Sequence, residues 1–386
     1  MSATANAHGL DGTLIAPDWP PLTRDEVRVL LRGYADLTGA VKLLSVSPRP
    51  FSAASVVSVG GRRVFVKRHA RSVRSAVGLC EEHAFMAHLR AHGTSVPLVL
   101  ADSNGTTAIE REEWTYEVHE LPAGIDLYSD AISWTPFFHT LHAHAAGRAL
   151  AQLHLAAQGF DAPARTGRPL VASLSILTHP KPLDALQAYL DARPMLNRYV
   201  KHTDWLAETM DLLLPFYEEM LPLLPSLSAL WTHNDLHPSN LFWSGADASA
   251  NVTAAIDFGL CDRTNAVHDI AHAIERSIIE WLVLVQCPDK PERVPIHFDH
   301  LFALLDGYSS IRPLSTEERA ALAPMIALCH VEFALSETDY FLSVLRSREK
   351  AHYACPAYLL GHARWWCTAG TALLNRIRAW AEAPAA

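Results

Sequence analysis

The chain has 386 residues, long enough to bury one large core or two lobes, and its 49% hydrophobic and 19% charged content excludes pervasive disorder. A formal charge of -9 argues against a nucleic-acid-binding role, and Cys80, Cys261, Cys287, Cys329, Cys355 and Cys367 show no CxxC spacing, which argues against a zinc ribbon or a disulfide framework. Free thiols in a reducing cytoplasm are the simplest reading. The N-terminal MSATANAHGLDGT has no basic start followed by an apolar run, and the apolar run from Ile278 to Cys287 contains Glu280 and is short for a bilayer, so a soluble protein without a secretory signal or membrane partner is expected.

In chain order, residues 1–20 are small and polar and read as a loose tail. Thr23 and Glu26 have capping-box spacing, and Val27, Leu30, Leu31 and Tyr34 follow at helical intervals, predicting a helix over 24–37. Ser55 to Val59, then Gly60-Gly61, then Arg62 to Lys67 predict a hairpin whose turn uses the positive φ that glycine tolerates. Lys67 ends the apolar strand VFVK, where a solvated strand-end lysine is the commoner case. Glu81 to Leu89 predicts a helix with Phe85, Met86 and Leu89 on its apolar side, and Trp114 to Val118 a strand broken by His119 to Gly124. His142 to Ala157 is helical, with His154 as a packed core histidine. Residues 161–185 read as an irregular insert, and 186–224 as helices.

The segment Leu230 to Ile270 carries the chemistry. It contains His233-Asn234-Asp235-Leu236-His237-Pro238-Ser239-Asn240, two apolar runs separated by a polar turn, and Asp257-Phe258-Gly259. A loop pinned by Pro238 can aim Asp235 and Asn240 into one space, and the second strand delivers Asp257 beside them. Two carboxylates and an amide oxygen are a hard donor set of the kind Mg2+ prefers, and phosphoryl transfer needs mainly positioning and charge neutralisation. The alternation of His233, Asp235 and His237 also permits a zinc or di-metal hydrolase, but Pro238 ends any strand there.

The C-terminal third, 270–380, reads as helices, with Ser315 and Glu318 in capping-box spacing. Glu332 and Asp339 are seven residues apart and share one side of an apolar helix, so they are candidate pocket carboxylates for a substrate amine or hydroxyls, with pairing to a local Arg or His as the commoner alternative. Trp365-Trp366 covers the same pocket or fills core.

The pattern H-x-D-x-x-x-x-N followed by D-F-G resembles the protein-kinase-like superfamily, and HNDLHPSN is similar to its aminoglycoside phosphotransferase and choline kinase branch. The resemblance implies an α+β bilobal fold: an N-terminal lobe over 1–122 with a small antiparallel sheet, and a mainly helical C-terminal lobe over 123–386. It implies Asp235 as catalytic base, Asn240 and Asp257 as Mg2+ ligands, and His233 and Asp269 as supports of the loop. It also implies Lys67 on the α- and β-phosphates of ATP or GTP with Glu82 as its partner, Glu81 competing for that role, and the purine edge at Glu120 and Leu121. The phosphate-covering loop departs from the family: residues 47–55 hold no glycine, leaving the backbone amides of Ser52 to Ser55, with Arg49, to face a phosphate. His268 comes only nine positions after Gly259, which favours a small-molecule hydroxyl acceptor, a metabolite or antibiotic. A protein Ser/Thr kinase and a non-catalytic nucleotide-binding pseudokinase are the alternatives.

Overall fold

The computed structural model describes residues 17–47, 49–166 and 169–383, together with the backbone of the short strand pair β1 (Ala7–His8) and β2 (Leu14–Ile15). Two lobes carry two apolar cores. In the smaller lobe, helix α1 (Arg24–Leu31) starts at a full capping box between Thr23 and Glu26 and ends six residues earlier than its periodicity suggests. Two turns closed on Leu30 and Leu31 follow it through Gly33, and Tyr34 and Leu37 still reach the core. The sheet has the order β3 (Val41–Leu43), β4 (Ala53–Val59), β5 (Arg62–Ala70), β7 (Trp114–Glu120), β6 (Ile109–Arg111), with antiparallel neighbours. Gly60 and Gly61 both have positive φ, 56° and 90°, the conformation a two-residue hairpin needs. Strand β7 runs on through His119 to Glu120 because both pair with β5, so the expected break comes two residues later.

Helix α2 (Ala76–Ala91), capped by Ser75, sets His83 against Glu117 of β7 and packs Phe85 on Phe160, Trp231 and Phe258 in the larger core. The larger lobe holds α3 (Thr140–Ala156), α4 (Pro182–Asp191), α5 (Pro194–Val200), α6 (Trp205–Met220), α7 (Ala266–Ile278), α8 (Trp281–Gln286), α9 (Phe298–Ser309), α10 (Thr316–Leu328) and α11 (His330–Asp339), and closes with shorter helices ending in Thr371–Glu382. Two small antiparallel pairs, β8 (Ala229–Thr232) with β11 (Asp262–Asn265) and β9 (Leu241–Trp243) with β10 (Val252–Ala255), frame the central loops. Helices α3 and α9 touch through glycine: a Cβ on Gly147 would lie 2.0 Å from Leu304 O, and one on Gly307 2.1 Å from His144 O. Thr316–Val344 is helical for 29 residues and apolar enough to cross a membrane by length, but 94% of its apolar window is buried inside the protein. Trp365 and Trp366 are buried in the core of this lobe.

The tail reading for 1–20 falls mostly outside the described residues. Where described, the segment is anchored: Asp18 accepts from Tyr340 (3.1 Å) and pairs with Lys350, and Trp19 meets Trp114 edge to face.

Candidate active site

The loop between β8 and β9 is held from below. Asp269, on the first turn of α7, accepts the backbone N–H groups of His233 and Asn234, both at 2.8 Å, and contacts His154 Nε2 at 3.0 Å; His154 Nδ1 lies 2.7 Å from the Tyr308 hydroxyl. All are buried, so the loop backbone, with Asn234 at a positive φ of 59°, is fixed by a chain of hydrogen bonds rather than by packing alone. His233 Nδ1 accepts from the N–H of Asp235 (3.2 Å), which leaves Nε2–H to donate to Ile256 O (2.9 Å). Both ring nitrogens are thus spent on the loop, and the hydrolase alternative loses one of its ligands.

Pro238 opens a single 3₁₀ turn, and Asn240 at its end turns back so that Nδ2 donates to Asp235 O (2.9 Å) and Oδ2 (3.1 Å). Strand β10 delivers Asp257 in the left-handed region, φ 60° and ψ 70°, a conformation Asp tolerates better than most residues. Its Oδ1 meets Lys67 Nζ at 2.9 Å. Burial pushes the Asp257 carboxyl up, but the Lys67 charge and hydrogen bond override it and hold the group below its ordinary value. Burial likewise works against the Lys67 ammonium, and Asp257, with Glu117 and Glu82 further off, keeps it charged with a raised pKa.

One cavity of about 190 Å3 brings together Asp235, Asn240, Asp257, Lys67 and Ser52. Arg49 reaches into it from the glycine-free loop and bonds Ser133 Oγ across the opening; Pro48 in that loop is outside the described residues. The far end is lined by Ile132, Trp134, Leu282 and Phe333, with the carboxylate of Glu337 among them. Glu337 is 3% exposed and its carboxylate has no hydrogen-bond partner among the described residues, and burial raises its pKa to about 8, against a lowering by Arg276 and a further raising by Asp18.

Several expected residues lie elsewhere. Glu82 is not in hydrogen-bond contact with Lys67: its carboxylate faces Arg165 Nη1 at 3.7 Å, because Arg165, anchored on Gly78 O and Gly259 O, lies between α2 and the Asp257 loop. Glu81 also turns to Arg165, at 3.7 Å. Glu120 pairs with Arg62 (2.5 Å) and its N–H donates to Leu98 O, while Leu121 follows the end of β7; neither lines the cavity. Glu332 is not a pocket residue: its carboxylate accepts Ser175 Oγ (2.9 Å), Ser173 Oγ and Ile176 N and so fastens the 170–176 segment. Asp339 turns towards Arg193, 3.9 Å away. The side of α11 opposite that pair presents Glu337 to the cavity.

Two arginines escaped the motif reading. Arg74 spends its guanidinium on the carbonyls of Val73, Pro169, Leu170 and Gly259, and Arg276, fully buried on α7, donates to Asn234 O (2.8 Å) and bonds Asp235 Oδ1. Burial raises the Asp235 pKa, Arg276 opposes that, and Asp257 adds to it; the net shift is upward.

Residues 49–286 match the model of the phosphotransferase enzyme family. A homoserine kinase of Gluconobacter oxydans is 25% identical over 258 residues, 65% of this chain and 67% of that protein, and across the curated relatives it matches the chain spans 61–68% of their length. Among solved structures, a microcompartment-associated aminopropanol kinase superposes with a TM-score of 0.59 at 20% identity, covering 92% of this chain and 99% of that one. An amicoumacin kinase in complex with AMP-PNP, Ca2+ and amicoumacin superposes at 0.53 and 16% identity, covering 93% of each. With the family model matched over well over half its length, the chain belongs to the phosphotransferase enzyme family.

Proposed function

We propose that this chain transfers the γ-phosphoryl group of ATP or GTP to a hydroxyl of a small metabolite or antibiotic. The observation that carries the reading is the convergence of Asp235, Asn240, Asp257 and Lys67 on one cavity. Asn240 commits Nδ2 to Asp235, leaving its Oδ1 for a cation beside the Asp257 carboxylate, and this hard oxygen set fits Mg2+. When bound, Mg2+ neutralises charge on the phosphates. Asp235 orients the acceptor hydroxyl and takes its proton late in the transfer. Lys67 leaves Asp257 in part to contact the α- and β-phosphates. Ser52 and Arg49 close over the phosphates where the family's glycines are absent. On this reading the lobes divide near residue 122, just after β7 ends.

The acceptor end is apolar and aromatic and includes Glu337, whose carboxyl has no hydrogen-bond partner among the described residues, which favours a hydroxyl compound that also carries an amine. The homoserine kinase names of the curated relatives agree with such an acceptor. The free state of all six cysteines supports a reducing, cytoplasmic setting. Between Leu260 and α7 there are only five residues, too few for the segment that docks a peptide in protein kinases.

The test is transfer from labelled ATP or GTP to a panel of amino alcohols, hydroxy amino acids, sugars, nucleosides and aminoglycosides, with and without Mg2+. Asp235→Asn should keep nucleotide binding and lower kcat and kcat/KM together. Wild-type turnover by that variant would refute the assignment of the base.

A further inference from the structure

Beside the cavity, on the sheet face that carries Lys67, three imidazoles converge on one carboxylate. Glu117 is the cross-strand partner of Lys67 and is 1% exposed. His83 Nε2 from α2 and His119 Nε2 from β7 both lie 2.8 Å from its Oε2, and His69 Nε2 from β5 lies 2.9 Å from its Oε1. One ligand atom from each of His83, Glu117 and His119 can be chosen with all pairs within 4.8 Å. The three histidines have no part in the phosphoryl transfer described above, and Glu117 bears on it only through its charge near Lys67.

We propose that His83, His119 and Glu117 form a binding site for one divalent transition ion of the Zn2+ class, separate from the oxygen site at Asn240 and Asp257. Two imidazoles and a carboxylate are a borderline donor set that selects Zn2+ or Co2+ over Mg2+. Ligand distances of about 2.0–2.2 Å require donor pairs roughly 3.3–3.6 Å apart, so the two 2.8 Å contacts open slightly and the histidines close on each other. The outer contacts of such a site are already in place. His83 Nδ1 is 2.9 Å from Thr107 Oγ1, so the ring proton displaced from Nε2 can reside on Nδ1 and donate to that hydroxyl. His69 holds the carboxylate oxygen that faces away from the ion. His119, the least buried of the three with an 11% exposed side chain, gives the ion its way in, and the fourth position stays open. A bound ion would tie α2 to β7, and through His69, which lines the cavity, would adjoin the nucleotide site.

Untagged protein stripped with a chelator and titrated with Co2+ tests this. Wild type should develop a visible ligand-field band that saturates near one equivalent, persists in excess Mg2+, and disappears on adding Zn2+. Asp257→Asn should keep the band, whereas the double variant His83→Gln, His119→Gln should lose it and lose the Zn2+-induced rise in Tm. No band in wild type at one equivalent overturns the proposal without any variant, and so does a band that survives the double substitution. Neither readout depends on phosphoryl transfer, so failure here leaves the proposed reaction standing.

Discussion

The guanidinium of Arg276 is bonded to the carboxylate of Asp235 inside the protein, with Arg276 fully buried and the Asp235 side chain 19% exposed. The arginine also holds Asn234 O and stands against Trp134 and Phe333. It therefore fixes both the position and the charge of the carboxylate proposed as the base. Truncating one partner of a buried pair leaves a charge without its counter-ion, which costs about 3–5 kcal/mol. Arg276→Met is expected to lose stability in that range by urea unfolding. Because Arg276 opposes the burial that raises the Asp235 pKa, its removal raises that pKa further, and the acidic limb of kcat/KM against pH should move to higher pH. Arg276→Lys keeps charge without the planar fork and should fall between. An unmoved limb in Arg276→Met would mean that Arg276 does not set the ionisation of the base.

The Lys67–Asp257 pair makes a prediction about acid stability. The folded-state pKa of Asp257 is depressed, so its contribution is fully present above its ordinary value of 3.8 and is lost as pH falls below that through the folded value. Asp257→Asn should therefore be less stable than wild type at pH 7, and the gap should narrow as pH is lowered from about 4 towards 3. Urea midpoints at pH 7, 4 and 3 measure it. A gap that stays constant over that interval would contradict the pairing.

How much of this was legible depends on the range of the interaction. The convergence of Asp235, Asn240 and Asp257 was readable because these residues flank a single hairpin, where spacing alone sets geometry, and Asp269 beneath the loop followed with them. Arg276 lies seven residues beyond Asp269, on the same face of α7, so helix periodicity could have pointed to it. The Glu82 expectation failed because Arg165, from the segment read as an irregular insert, takes that carboxylate, and nothing local in the sequence says that 165 approaches 82. On α11 the periodic pair Glu332 and Asp339 share a side, as read, but which side faces the cavity is decided by how α11 packs against the 170–176 segment and α5. The cavity received Glu337 instead.

Glu337 gives a second prediction for stability against pH, with the opposite sign to that of Asp257. Its folded-state pKa is raised from 4.5 to about 8, so the neutral acid is accommodated and the carboxylate is not. Stability tied to this group is fully present below pH 4.5 and is lost as pH rises towards about 8. Glu337→Gln removes the titration, so the variant should gain on wild type between pH 5 and pH 8 in denaturant midpoints. An amine-bearing acceptor would supply the missing counter-charge, so the same variant should raise KM for such an acceptor while leaving kcat for a neutral alcohol little changed. Equal effects on charged and neutral acceptors would remove Glu337 from acceptor recognition.

The α3 and α9 contact links packing to the catalytic loop at a distance. A methyl at position 147 would sit 2.0 Å from Leu304 O and one at 307 would sit 2.1 Å from His144 O, and the obstructing atoms are backbone, which cannot rotate away. Overpacking costs about 1–3 kcal/mol where side chains can adjust, and rigid backbone places Gly147→Ala and Gly307→Ala at or beyond the upper end. For a protein of this size that corresponds to a fall in Tm of at least several degrees. The double variant should cost less than the sum, since either methyl alone already separates the helices. Separation also pulls Tyr308 on α9 away from His154 on α3, and His154 is what Asp269 rests on while it holds the N–H groups of His233 and Asn234. Any folded Gly307→Ala protein should thus show lower kcat with nucleotide affinity retained, and normal kcat in that protein would mean that Asp269 holds the loop without help from the histidine behind it.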